Sequence, residues 1–484
     1  MGKSKKTLIF ASAVLTLALL VGCAPSTVRI DGVENPDEMS KTNDTVNEVD
    51  ALLDADQWVD VLEDADYRGY NFTIATTREN VFLIDDGASS VVDDAKALRN
   101  EMAEKKYNVK IVEKLYEAEN ILPEQSIAAL VDTSIADIVC APAEQLAVLA
   151  DHGLLLNLYS VPYLNMSAKY VSEKLVKQYT AKNTAYMMFD DLIPYQTNLW
   201  AVFYNVDMVK KFGLEDPYER VREGTWTWDM MLQMAKKVAS ESENGTRYYG
   251  LSSYYNGKKD LDLAYAMLGS MGEKYFADTY RTDMTLSLDC DVANKAVNMF
   301  LDVIGSDMHY NGDGNDAITE FSEGRLLFYV YETSLAAALA NSKSDWSVVP
   351  LPKYSAEQEG YYSWLDLSAM AIGVFNTNTD TPRAGRILNC LCAASYGHIR
   401  EATDTAYLNY YLRNNRSAVM LTKYVYGNPF IDLTYLYGNG MEDLRMLTIE
   451  KFNKAIFSGD DLDEGLYDSE NKSLAESFMN EKFK

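Results

Sequence analysis

Residues 71–76 read NFTIAT, residues 108–113 read NVKIVE and residues 136–140 read ADIVC. Each is a short apolar run enriched in β-branched side chains, which suits a strand. Between the first two, Val92, Ala95, Leu98 and Met102 recur at helical spacing and fall on one face of a helix. Between the second and third, Pro123 opens a helix that carries Ile127 and Leu130. After the third, a helix from Ala143 runs to Gly153, a residue type that commonly ends helices. Strand, helix, strand, helix, strand implies parallel pairing, because a crossover that holds a helix brings the chain back to the same end of the sheet. Loops at the carboxyl ends of such strands face a crevice, so the loops after Thr76 and Cys140 line one wall of it.

A second alternation starts at LWAVFYN, residues 199–205. In TWTWDMMLQMAKKVAS (225–240), Thr227 caps a helix, Asp229 sits in its first turn, and Met231, Met234, Ala235 and Val238 form the buried stripe. Ala293, Ala296, Phe300 and Ile304 make another stripe, closed by Gly305. RLLFYVY (325–331), DWSVVPLP (345–352) and LSAMAIGVF (367–375) are further strands. A chain of 484 residues exceeds what one core sustains. The expected fold class is therefore α/β with two lobes, each a mostly parallel sheet flanked by helices.

The chain begins with Lys3, Lys5 and Lys6, an apolar run over 8–21, then Gly22 and Cys23. That order belongs to an export signal, and the run is too short for a permanent span. Residues 20–23, LVGC, resemble the lipobox of bacterial lipoproteins, which implies cleavage after residue 22 and lipid on Cys23. Residues 23–66 are acidic and poor in aromatics and read as a tether.

Net charge is −28, which repels phosphates and excludes nucleic acid as a partner. The three histidines, His152, His309 and His398, stand apart, and neither a metalloprotease helix motif nor a phosphate-binding loop occurs. No metal, cofactor or catalytic residue is expected. Acidic pairs such as Asp85-Asp86, Asp93-Asp94 and Asp190-Asp191 suit solvated surface better than a glycosidase pair held across a sugar. Cys140, Cys290, Cys390 and Cys392 read as mostly buried thiols.

The segments ADIVCAPAEQLAVLADHGLLLNL, FYNVDMVKKFGLEDP, TWTWDMMLQMAKKV, ITEFSEGRLLFYVYETS and WSVVPLPKY, then LSAMAIGVFNTN, resemble in order and spacing the family 1 extracellular solute-binding proteins, carbohydrate-binding subunits of ABC transporters. The resemblance covers nearly all of the chain after Tyr67. It implies a periplasmic-binding-protein-like fold of type II with the ligand cleft between lobes. Residues 67–195 with 348–395 form lobe 1, and 196–347 with 396–484 form lobe 2. Crossings are expected near 194–198, near 347–350 and after about Ser395. It also implies a monomer that serves permease subunits and a separate ATPase. Two departures, Tyr331-Glu332 and the tyrosine-rich stretch 401–440, bear on the ligand rather than the fold.

Sugar recognition uses flat rings against C–H faces and planar polar groups against hydroxyls. Thirty-four tyrosines and six tryptophans supply the rings. The expected crevice residues are Arg78, Glu79, Gln196, Asn198, Tyr254, Tyr255, Tyr331, Glu332, Trp364 and Asp366. Alternation in YYSWLD puts Trp364 and Asp366 on one face, towards the crevice, with Leu365 and Leu367 towards the core. Two alternatives stand beside a mono- or oligosaccharide: ferric iron on paired tyrosines such as Tyr254-Tyr255 or Tyr361-Tyr362, and a surface glycoside hydrolase.

Overall fold

The computed structural model describes residues 55–483 apart from 85–89, 244, 254–260, 278, 281, 313, 408–410, 413, 439 and 460–461. The signal segment, Cys23 and most of the tether lie outside the described residues, as do Tyr254 and Tyr255. No helix among the described residues is long and apolar enough to cross a membrane.

The three strands read first pair as expected. Strand β1 (Tyr70–Thr76) runs parallel to β2 (Val109–Leu115), Tyr70 opposite Val109, and parallel to β3 (Ile138–Pro142), Ile74 opposite Ile138. A fourth strand, Met370–Val374, joins β3 antiparallel, so the sheet closes with a segment more than 200 residues away. The helices between them differ in which face they bury. Helix α1 (Val91–Tyr107) is capped by Ser90, whose side chain accepts from the Asp93 amide, and it buries Ala95, Arg99, Ala103 and Tyr107. Leu98 faces outward. Arg99 takes the inner face because its guanidinium donates to the carbonyls of Leu192 and Phe82 and to the Asn100 side chain, so each of its three nitrogens has a partner. Helix α2 (Ala118–Ala129) starts before Pro123, contrary to expectation, and Ile127 and Leu130 are exposed. Its inner face holds Ile121 and Gln125; the Gln125 amide donates to Thr377 and accepts from the Ile135 amide. Helix α3 (Ala143–Asp151) follows β3 directly.

The second sheet holds β4 (Trp200–Asn205), β5 (Tyr249–Ser253), β6 (Leu326–Glu332) and β7 (Trp346–Pro350), in the order β7-β4-β6-β5. The expected mostly parallel sheet is corrected here: β4 is antiparallel to both β6 and β7, and only β5 and β6 pair in parallel. The cause is the route of the chain. A strand that follows a crossing must start at the crevice end, where the others finish, and Met370–Val374 does the same in the first sheet. Helix α4 (Trp228–Ala239) is capped by Thr227, whose hydroxyl accepts from the Met230 amide, and it buries Met231, Met234, Ala235 and Val238. Helix α5 (Cys290–Ile304) buries Ala293, Ala296 and Phe300, with Val303 in place of Ile304.

The second crossing lies beyond 347–350, because those residues are the body of β7, paired with β4. It passes through β8 (Ser363–Trp364) to β9, the strand Met370–Val374. Helix α6 (Thr381–Ser395) and helix α7 (His398–Ala406) both pack on α1. The third crossing therefore comes after α7, later than the expected Ser395, and residues 415–425 then pack on β7. Beyond β10 (Pro429–Phe430), helix α8 (Leu433–Gly438) packs on α3, and Lys482, which ends helix α9 (Ser469–Lys482), pairs with Asp151 at 2.8 Å. The C-terminal helices thus touch the first lobe as well as the second. Cys140, Cys390 and Cys392 are buried free thiols, and Cys290 is half-buried.

Candidate functional site

Both sheets point strand ends and crossings at one place. Thr76, the last residue of β1, holds the next turn: its hydroxyl donates to the Arg78 carbonyl at 3.0 Å. Arg78 then reaches across and donates to the Ser368 carbonyl at 3.2 Å. Glu79 beside it is exposed.

Asn198 sits in a 3-10 turn at the first crossing. Its amide donates to Glu332 Oε1 at 3.0 Å and to Ser368 Oγ at 3.1 Å. Its carbonyl accepts from the Asp366 amide. The Ser368 hydroxyl donates to Glu332 Oε1 and the Ser334 hydroxyl to Oε2, at 3.0 and 3.1 Å. Asp366 accepts from Trp200 Nε1 at 3.1 Å and from the Ser368 amide at 2.8 Å. One network therefore binds the end of β6, the start of β4 and the first two crossings. Burial first, and Asp366 second, raise the Glu332 carboxyl above its ordinary value. The same two causes raise Glu144, at the start of α3. Four expected residues, Arg78, Asn198, Glu332 and Asp366, are thus joined through Ser368.

Other expected residues stand elsewhere. Gln196 is buried against Asp191, to which its amide donates at 2.8 Å. Tyr331 is half-buried between Trp200 and Tyr329. Trp364 is corrected from a crevice plate to a core residue. It is 3% exposed, with Tyr435 at 4.7 Å and Tyr265 stacked at 6.3 Å. The alternation rule failed because it assumes one open face, whereas here Leu365 and Leu367 are buried as well. Gly269 makes room for the indole, since a Cβ there would lie 2.6 Å from the Trp364 ring.

Beside the network lies a recess of about 350 Å³, with Arg78, Asn198, Met370, Thr403 and Tyr407 among its lining residues. Ser368, Thr403 and Tyr407 were not singled out in the sequence. For Thr403 and Tyr407 the one signal is the tyrosine density after Glu401, which does not show that α7 belongs to the first lobe. Among the described residues no group of three His, Cys, Asp or Glu could hold a metal ion. The Tyr361 hydroxyl is taken up by the Val221 carbonyl and the Trp226 amide, while Tyr362 packs on Phe430. Asp93 and Asp94 lie in the first turn of α1, whereas Asp190, expected at a solvated surface, is buried, which corrects that expectation.

The fold recurs in solved structures of low sequence identity. A cyclic α-maltosyl-1,6-maltose binding protein from Arthrobacter globiformis is 14% identical, covering 85% of this chain and all of its own, with a TM-score of 0.57. A maltose-binding periplasmic protein from Listeria monocytogenes, solved with maltose, is 14% identical over 86% of this chain and 99% of its own, at 0.52. A receptor from Streptomyces glaucescens, solved unliganded and with acarbose, is 14% identical over 86% and 100%, at 0.51. At this identity the likeness establishes the two-lobed fold. No curated protein matches. Residues 97–409, well over half of the chain, match the family described as bacterial extracellular solute-binding protein, and the chain belongs to that family.

Proposed function

We propose that this chain is the lipid-anchored, carbohydrate-capturing subunit of an ABC importer, and that it closes around its solute and hands it to a permease without chemical change. The observation that carries the reading is the polar network at the crossings. It offers amide, guanidinium and carboxylate groups at the crevice ends of both sheets, the mixture that hydroxyl-rich solutes need. The structural relatives named above are described as binding maltose, a cyclic maltosyl saccharide and acarbose. Membership of the solute-binding family supports capture rather than turnover. Retention at the membrane is assigned to lipid on Cys23.

The deciding experiment is a melting-temperature screen of the processed protein. Its panel is maltose, acarbose, cyclic α-maltosyl-1,6-maltose and the mono- to tetrasaccharides of glucose, galactose, mannose and xylose. A true solute at one hundred times its Kd adds about 2.7 kcal/mol of stability, which a melting curve resolves. A protein stabilised by no member of the panel, or one that hydrolyses the member it binds, would end this reading.

A further inference from the structure

Acids outnumber bases in this chain by 72 to 44, and its arginines are paired accordingly. Arg220, Arg325, Arg383, Arg400, Arg416 and Arg445, among others, each meet a carboxylate. Among the described arginines only Arg68, Arg78 and Arg99 form no ion pair with a described residue. Arg68 stands in the turn before β1, and Arg99 is buried with its nitrogens on two backbone carbonyls and the Asn100 side chain. Arg78 is different. It is exposed, it lines the recess beside the polar network, and its guanidinium, with five N–H donors, makes one hydrogen bond, to the Ser368 carbonyl.

Lys96, on α1, lines the same recess. Its side chain is 18% exposed, and its ammonium donates to the Asn80 carbonyl at 2.8 Å, with the Asp93 carboxylate farther off at 3.8 Å. Burial above all holds Lys96 below the ordinary lysine pKa, as befits a cation that has lost water without gaining a close anion. The nearby carboxylates are engaged elsewhere. Glu113 accepts from the amides of Val81, Phe82 and Leu83, Glu332 from Asn198, Ser334 and Ser368, and Asp366 from Trp200 and the Ser368 amide. Glu79 is the one acidic residue among the described lining residues, and it is exposed. Two cations of one recess thus have neutral carbonyls as their nearest partners.

We infer that this recess receives a carboxylate of the solute, held between Arg78 and Lys96, so that the captured saccharide is an acidic one that carries a uronic acid. The inference rests on the carbohydrate reading above and adds the charge of the solute. A carboxylate takes charge-assisted hydrogen bonds from both groups, and the planar fork of Arg78 matches its two oxygens. It suits the site better than a phosphate monoester, because the field of a chain at −28 opposes a second negative charge more than the first.

The test uses the full processed chain at neutral pH and titration calorimetry with matched pairs. These are glucuronate against glucose, galacturonate against galactose and mannuronate against mannose, as monosaccharides and as di- to tetrasaccharides, with glucose-6-phosphate as a further probe. For the stereochemistry that binds, the acid should bind roughly ten- to a hundredfold tighter than the neutral sugar. Arg78→Gln and Lys96→Met should each cut that preference about tenfold, and Lys96→Glu should reverse it. Should Lys96→Met fail to fold, the exposed Arg78→Gln still decides. Equal affinity for acid and neutral sugar overturns the inference and leaves the carbohydrate reading standing. An acid preference that both Arg78→Gln and Lys96→Met retain overturns the assignment to these residues. Tighter binding of glucose-6-phosphate than of glucuronate overturns the carboxylate. A parent that binds neither acid nor neutral sugar removes this inference together with the carbohydrate reading.

Discussion

Glu332 bonds groups from the first two crossings with one carboxylate, and its two oxygens accept three hydrogen bonds. Burial raises its pKa above the ordinary 4.5, so the folded state holds the proton more tightly than the unfolded chain does. The stabilisation that goes with the proton is fully present below 4.5 and is lost as pH rises through the raised folded value. Glu332→Gln carries no such proton and can still accept from Asn198 and Ser368. Melting curves from pH 7.5 down to 4.5 should therefore show the parent gaining on Glu332→Gln as pH falls. A constant difference would mean that Glu332 titrates normally. Trp364 illustrates the same scale through packing. Trp364→Ala should lose about 3–5 kcal/mol in denaturant unfolding, the cost of an emptied core site. Trp364→Phe should lose much less, because it also removes an indole N–H that has no partner among the described residues. An alanine variant of parent-like stability would return the indole to the crevice.

At the scale of elements, local chemistry and tertiary contact divide cleanly. The start of α4 is written in its own residues: Thr227 accepts from the Met230 amide and Asp229 lies in the first turn. Thr227→Ala should cost about 1 kcal/mol, measured by denaturant midpoint at unchanged slope, while Asp229→Asn should cost a few tenths. A Thr227→Ala variant as stable as the parent would show that packing of Trp228 alone holds that turn. Helices α1 and α2 follow the other rule. Their inner faces carry Arg99 and Gln125, each bonded to a distant segment, while Leu98, Ile127 and Leu130 face outward. Apolar spacing finds a helix in such cases and misplaces its buried face, because a polar side chain that reaches partners on another segment can take the inner face.

Over the whole molecule, the crossings decide what a bound solute does. The first crossing is tied to the end of β6, since the amides of Thr333 and Ser334 donate to the carbonyls of Leu199 and Thr197. The second is tied to the first through Asp366 and Asn198. A solute that bonds groups on both sides of this network favours the closed arrangement by its difference in affinity, and by nothing else. Small-angle scattering of the processed protein should show a smaller radius of gyration at saturation with the bound saccharide. An unchanged radius at saturation would mean that the lobes already stand closed, or that the solute touches one lobe only.

The amino-acid order by itself determined the class of the fold, the three parallel strands of the first sheet, three of the four strands of the second (β4, β6 and β7), the stripe of α4 and most of that of α5. These rest on periodicity and capping, which act over a few residues and survive any tertiary arrangement. It also placed Arg78 just after a strand and Asn198 at the first crossing, because position along a strand says where its end will face. Tertiary structure alone decided the rest. The antiparallel run of β4 and β9 follows from where the chain re-enters each lobe. The inward turn of Trp364 follows from Tyr265, Phe430 and Tyr435, residues 66 or more positions away that cover its face. The place of Thr403 and Tyr407 follows from α7 packing on α1, a contact across some 300 residues that no local pattern encodes.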